Sequence, residues 1–266
     1  MNTIESTLTS KPKYVDLLGK EQALKLLHVF ADIESGKYDK NEIHTFKLNG
    51  ISHPIHLRAI RADMQSFVNT FIDVYLDKKP YLTDATFVID AGANIGYTAV
   101  LFANYWPQCK IISIEPDKEN YELSLKNTSP YSNITVLNGG LWNKEVKLRI
   151  EAGQEDGFVV REVNDSQTQI KSENLTSGIS IDQLLKKYNI AQIDFLKMNI
   201  EGSEKEIFAE NYKTWLPKTK AMLIELHDGK NAGCSKTVFA TINQYDFAVA
   251  ETAPYGVLFV KESVYR

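Results

Sequence analysis

The chain has 266 residues, 43% apolar and 24% charged, enough for one packed α/β core with an extension. A net charge of −4 argues against a broad basic face that grips nucleic acid. Cys109 and Cys234 show no paired spacing for a disulfide framework or metal knuckle, and no apolar run approaches the ~20 residues of a membrane span.

The first residues, Met1-Asn-Thr-Ile-Glu-Ser, lack a basic region followed by an apolar run, so a cytoplasmic location is expected. From about Pro12 to Ile33 the apolar spacing (Val15, Leu18, Leu24, Leu27, Phe30, Ile33) predicts a helix that breaks at Ser35-Gly36. Two β-like runs, Thr45–Leu48 and Ile55–Ile60, flank Asn49-Gly50, a hairpin signal. Asp63 stands where it would cap an amphipathic segment with Met64, Phe67, Val68, Phe71, Ile72 and Tyr75, ending before Pro80. Residues 1–84 therefore read as an α+β cap on a domain at 85–266.

The stretch Phe87-Val-Ile-Asp90-Ala-Gly92-Ala-Asn94-Ile-Gly96-Tyr-Thr98 is the most informative. An apolar strand enters a small-residue turn and leaves as helix, which brings helix-top N–H groups beside a ligand. A second strand, Lys110–Ile114, ends in Glu115-Pro116-Asp117, with Glu115 nineteen residues after Gly96. An acid about twenty residues beyond such a turn is where a nucleoside ribose is gripped.

A dinucleotide turn needs glycine at its second position, where Asn94 stands, and Asp90 would aim a carboxylate at a pyrophosphate. An NAD-dependent oxidoreductase is therefore the poorer fit. A ligand with a ribose, no phosphate and a cationic amino-acid end fits better, and S-adenosylmethionine is that ligand. Gly92, Ala93, Asn94 and Gly96 would form its turn, Asp90 would face its ammonium group, directly or through water, and Glu115 would accept from both ribose hydroxyls.

A third strand, Asn133–Leu137, stops at Asn138-Gly139-Gly140. Gly140 would let the backbone lie along the adenine, with Leu141 or Trp142 packing on its face. Val146–Ile150 and Gly157–Val163 suggest an antiparallel excursion, and Ser180 opens a helix. Ile193–Met198 and Ala221–Leu226 read as fourth and fifth parallel strands, with a helix from about Ser203 between them. Asp246–Ala250 and Tyr255–Val260 close the chain as a hairpin around Pro254-Tyr255-Gly256. The alternation predicts an α/β fold, a doubly wound sheet with a C-terminal antiparallel hairpin.

The blocks Val88–Gly96, Ile114-Glu-Pro-Asp117, Ile193–Gly202 and Ile224-Glu-Leu-His227 resemble the FkbM family of S-adenosylmethionine-dependent methyltransferases. Arg58 and Asp63 fall where that family has an Arg and an Asp before its glycine turn. The resemblance runs from about Ile55 to Glu225. It implies a Rossmann-like methyltransferase fold and methyl transfer to a hydroxyl, commonly on a sugar, glycolipid or polyketide-type acceptor, with Arg58 and Asp63 toward that acceptor. One departure is Asn199, where the family usually carries Asp.

A base for the hydroxyl proton would come from Glu201, Glu225 or His227 at strand ends, and His227 leads because imidazole titrates near working pH. Asn199 cannot act as base but can orient a hydroxyl or the cofactor's amino-acid end, and no metal is expected. The partner is a small-molecule or glycan acceptor. A cofactor-binding relative with altered or lost catalysis stays open, Asn199 being its only hint.

Overall fold

The computed structural model describes residues 12–73, 84–152, 158–163, 171–253 and 255–264. Helix α1 (Pro12–Glu34), bent at Gly19, buries Leu18, Leu26, Val29 and Phe30. Strands β1 (Ile43–Phe46) and β2 (Ile55–Arg58) pair antiparallel, Phe46 opposite Ile55. Helix α2 (Arg61–Phe67) follows and continues as a π-helical turn, Val68–Ile72. Its cap differs from expectation. Ile60 holds the N-cap position without a side-chain bond, and Asp63 sits inside the first turn with its carboxylate committed to Arg58. A guanidinium offers a charge-assisted fork that outcompetes the free helix N–H groups. Tyr75 and Pro80 lie outside the described residues.

Next come β3 (Phe87–Ala91), α3 (Tyr97–Tyr105), β4 (Lys110–Glu115), α4 (Lys118–Thr128) and β5 (Ile134–Asn138). Then β6 (Gly140–Leu141), β7 (Lys147–Ala152), β8 (Phe158–Glu162) and β9 (Leu175–Ile179) form a small separate sheet in the order β6-β9-β7-β8. The β7/β8 pair is the expected antiparallel excursion. Strand β9 was not expected, because Leu175-Thr-Ser-Gly-Ile179 is short and carries a glycine. The glycine suits a close approach, since a Cβ on Gly178 would lie 3.1 Å from the Lys144 carbonyl.

The chain returns through α5 (Ile181–Tyr188), β10 (Ile193–Met198), α6 (Glu204–Ala209), β11 (Thr219–Ile224), α7 (Cys234–Ile242), β12 (Phe247–Ala253) and β13 (Gly256–Lys261). The main sheet runs β12-β13-β11-β10-β3-β4-β5. The five strands from β11 to β5 are parallel, β13 is antiparallel to both neighbours, and β12 and β5 are the two edges. Both faces of the sheet are covered. Val88 joins a core shared with α1, α2, α3 and the β1/β2 hairpin, whereas Phe87 and Ile89 join one shared with α5, α6 and α7. Burial on both faces explains why β3 and β10 read as near-continuous apolar runs. The strand order reverses between β3 and β10, so this α/β, Rossmann-like sheet opens its crevice at their carboxyl ends. Among the described residues no helix is long and apolar enough to cross a membrane.

Candidate active site

At that crevice lies a cavity of about 920 Å³. Its floor is the turn after β3. Gly92 (φ 73°) packs so closely on β10 that a Cβ would stand 1.7 Å from the Asn199 carbonyl oxygen. Asn94 (φ 48°) follows in the left-handed region, where asparagine is among the few tolerated side chains, and Gly96 (φ 87°) opens α3. Gly92, Ala93 and Asn94 all line the cavity.

Glu115 ends β4 at 4% exposure. Its Oε2 accepts from the Asn94 N–H at 2.7 Å and its Oε1 from the Asp117 N–H at 3.0 Å. Each oxygen keeps a lone pair, as a ribose diol requires. Burial pushes its pKa up to about 7, against the pull of those two N–H bonds. The folded state thus holds this proton more tightly than an unfolded carboxyl with its ordinary value of 4.5. The linked stability of the free protein is present below that value and falls as pH rises through about 7. Hydroxyl donors favour the ionised form, so the stabilisation by S-adenosylhomocysteine is expected to grow over the same interval. Melting curves across it test the opposite slopes. Glu115→Ala should weaken S-adenosylhomocysteine by about 1.5–3 kcal/mol in calorimetry, the worth of bonds to a charged group. Unchanged affinity would remove Glu115 from the ribose.

Asp90 is fully buried and does not reach the cavity wall. The expected ammonium opposite it is supplied by the chain itself. Lys197 Nζ stands 3.2 Å from Asp90 Oδ1 and donates to the Gly92 carbonyl at 2.7 Å. Lys197 does line the cavity, and sequence reading passed over it. The available signal was a lysine in β10, where every residue is buried.

Gly140 and Leu141 also line the cavity, with Phe158 and Val160 of the small sheet. Trp142 instead packs with Leu148 and Val160 in a core of its own. Arg58 reaches the cavity and Asp63 does not. Asp63, fully buried, takes the Arg58 backbone N–H at 2.7 Å, Nε at 3.0 Å and Nη2 at 2.7 Å. Nη2 also donates to Asn120 Oδ1 at 2.6 Å. Asp63 therefore holds Arg58 in place. Helix α2 adds a polar stripe at four-residue spacing, Arg61, Gln65 and Asn69, the last two hydrogen-bonded at 2.7 Å. These went unnoticed because the segment announced itself only through its apolar face.

At the end of β10, Asn199 and Glu201 line the cavity. Asn199 donates its N–H to the Ala91 carbonyl at 3.0 Å, and its Oδ1 is buried without a partner. Glu201 (φ 58°) is ion-paired with Lys230. Glu225 and His227, beyond β11, stand behind this wall. His227 Nε2 lies 3.8 Å from Glu201 Oε2 and 3.7 Å from Glu225 Oε1. Its Nδ1 lies 2.8 Å from Glu204 Oε1. Burial alone would lower the His227 pKa, but the Glu204 hydrogen bond and the three neighbouring carboxylates outweigh it and raise the value above 6.5. Burial likewise raises Glu225.

These features fit S-adenosylmethionine: a turn a Cβ would fill, a buried acid with two free lone pairs, and an unpartnered amide oxygen at the far end. The chain is similar to Methyltransferase 1 of Beauveria bassiana (strain ARSEF 2860), 24% identical over 203 residues, 69% of this chain and 80% of that protein. Among solved structures it is similar to precorrin-6y C5,15-methyltransferase from Geobacter metallireducens GS-15. That match has 10% identity and a TM-score of 0.38, over 69% of this chain and 85% of the other. It is also similar to fibrillarin from Aeropyrum pernix, with 13% identity and a TM-score of 0.41 over 70% and 69%. The family model described as the Methyltransferase FkbM domain matches residues 90–250, more than half of the chain. That match takes in the turn, Glu115 and the ends of β10 and β11, and the chain belongs to the FkbM methyltransferases, which use S-adenosylmethionine.

Proposed function

We propose that the protein methylates a hydroxyl group on a sugar, glycolipid or secondary-metabolite acceptor. The observation that carries this reading is the continuity of the cavity. One cavity is lined both by the cofactor turn and by the amides and hydroxyls of Gln65, Ser66, Asn69, Thr70 and Asn120, alongside Arg58, Arg61, Asn199 and Glu201. Such a wall offers both donors and acceptors to a neutral hydroxylated molecule. Its mixed charge supports a small acceptor over nucleic acid.

The bound cofactor supplies a methyl group on sulfonium together with its own leaving group. The chain has to align the acceptor oxygen, exclude water and take away a proton. A rotation of the Asn199 amide brings its buried, unpartnered Oδ1 to the incoming hydroxyl, which it accepts from and aligns. Arg58, held by Asp63, binds a polar group farther out on the acceptor. Glu201 is the carboxylate on the wall, and His227 behind it is the base that finally holds the proton, with Glu225 raising its basicity. No step of this reading requires a metal.

His227→Ala should lower single-turnover methyl transfer about 10²-fold with S-adenosylhomocysteine affinity nearly unchanged, because a base acts in the transition state. A wild-type rate would move the base to Glu201 or Glu225. Asn199→Asp should be tolerated. Intact cofactor binding with no transfer to any of a panel of hydroxyl acceptors would favour a binding protein that has lost catalysis.

A further inference from the structure

Glu204 is fully buried, yet every part of its carboxylate is occupied. Oε1 accepts from the Ile200 N–H at 3.1 Å, and Oε2 accepts from the Gly202 N–H at 2.8 Å and from the Cys234 thiol at 3.5 Å. His227 Nδ1 stands 2.8 Å from Oε1. Two consequences follow from elementary chemistry. A carboxylate that already takes three donors meets Nδ1 as an acceptor, so Nδ1 carries the proton, and in the neutral imidazole, the form that can act as base, Nε2 keeps its lone pair. By holding the N–H groups of residues 200 and 202, Glu204 also fixes the turn whose middle residue, Glu201, lines the cavity, with Asn199 immediately before it on the same wall.

We propose that Glu204 is the positioning residue of the acceptor end, locking His227 with Nδ1 protonated and Nε2 bare while it anchors the turn that presents Asn199 and Glu201. This rests on the hydroxyl-methylation reading above. In the reaction the acceptor O–H bond breaks as its oxygen bonds the methyl carbon. The proton goes to a Glu201 oxygen and on to His227 Nε2, a separation of 3.8 Å that one water spans. The imidazolium so formed is balanced by Glu204, Glu225 and Glu201, and Lys230 reclaims Glu201. Glu204 touches no substrate and acts through its neighbours.

The decisive measurement needs no acceptor. In the full chain labelled with ¹⁵N-histidine, with His227 assigned from the spectrum of His227→Gln, long-range proton–nitrogen correlations at alkaline pH should show a protonated Nδ1 and a bare Nε2. A protonated Nε2 overturns the proposal in the unsubstituted protein, whatever becomes of any variant. Glu204→Gln, which keeps the shape and removes the charge, should move the His227 titration down by about one pH unit, roughly a tenfold change in proton affinity. It should shift the pH profile of transfer in the same direction, while S-adenosylhomocysteine affinity stays within about twofold, under 0.5 kcal/mol. An unmoved titration overturns the proposal, since a carboxylate serving only as a strut for the turn would leave it so. Failure of the hydroxyl reading shows differently, as absence of transfer with the tautomer as expected.

Discussion

Gly92→Ala is expected to abolish S-adenosylhomocysteine binding and to lower the folding free energy by roughly 3–5 kcal/mol, at the upper end of single substitutions. Two penalties coincide. The residue holds φ 73°, which an L side chain adopts only under strain, and the added methyl would meet a backbone oxygen at 1.7 Å. That oxygen belongs to Asn199, whose own N–H is tied to the Ala91 carbonyl at 3.0 Å, so it has no room to withdraw. Relief requires β3 and β10 to part at the point where their paired ends form the cavity floor. Gly96→Ala makes the instructive comparison. It shares the positive φ, at 87°, but its Cβ would meet Thr128 Cγ2 at 3.1 Å and Ser124 Cα at 3.2 Å rather than a carbonyl oxygen at 1.7 Å, so the loss should be smaller. Chemical denaturation and calorimetry on both variants decide the matter. A Gly92→Ala protein that binds cofactor and unfolds with wild-type free energy would mean the strands do not meet as described.

Lys197→Met is expected to cost a similar roughly 3–5 kcal/mol, because it strands a buried carboxylate. Side-chain exposure is 6% for Lys197 and 0% for Asp90, so neither charge has water to fall back on. The lysine also clamps the Gly92 carbonyl, and its loss should loosen the cofactor turn. The pair Lys197→Met with Asp90→Asn should recover much of the stability but not the cofactor affinity, since the stranded charge is gone while the clamp stays absent. Groups in direct contact couple in this way, and distant ones do not. A single-variant loss below about 1 kcal/mol, the range of exposed ion pairs, would refute a buried pair.

The parallel strands, the glycine turn and Glu115 were legible in the sequence, because each depends on local signals. β3 announces itself as an apolar run, and the turn and acid have a fixed spacing set by one strand–helix–strand unit. Residues that work through distant partners were not legible. Lys197 is 107 positions from Asp90, and nothing in a linear reading says that a lysine in an apolar strand meets that acid. Asp63 looked like a helix cap because its neighbours are helical, and only the folded β2 strand shows Arg58 claiming it. Glu204, two positions past the Ile193–Gly202 block, was passed over, since its role consists of bonds to backbone that sequence does not display. His227 and Glu225 were identified as a cluster, but their place behind the wall follows from the register of β11 on β10.

Strand β13 is made last of all the sheet strands, yet its place is between β12 and β11, with Val257 opposite Ile224. The seat is tight: a Cβ on Gly256 would come within 2.5 Å of the Ile224 carbonyl and 3.0 Å of the Glu225 nitrogen. During synthesis, at about 5–20 residues per second, everything through β11 leaves the ribosome before this slot can be filled. In that interval the nascent sheet already has its cofactor turn but presents β11 as an open edge, a template for pairing with other chains. A ribosome stalled ahead of residue 256 would therefore release an aggregation-prone fragment whose acceptor side had never been braced.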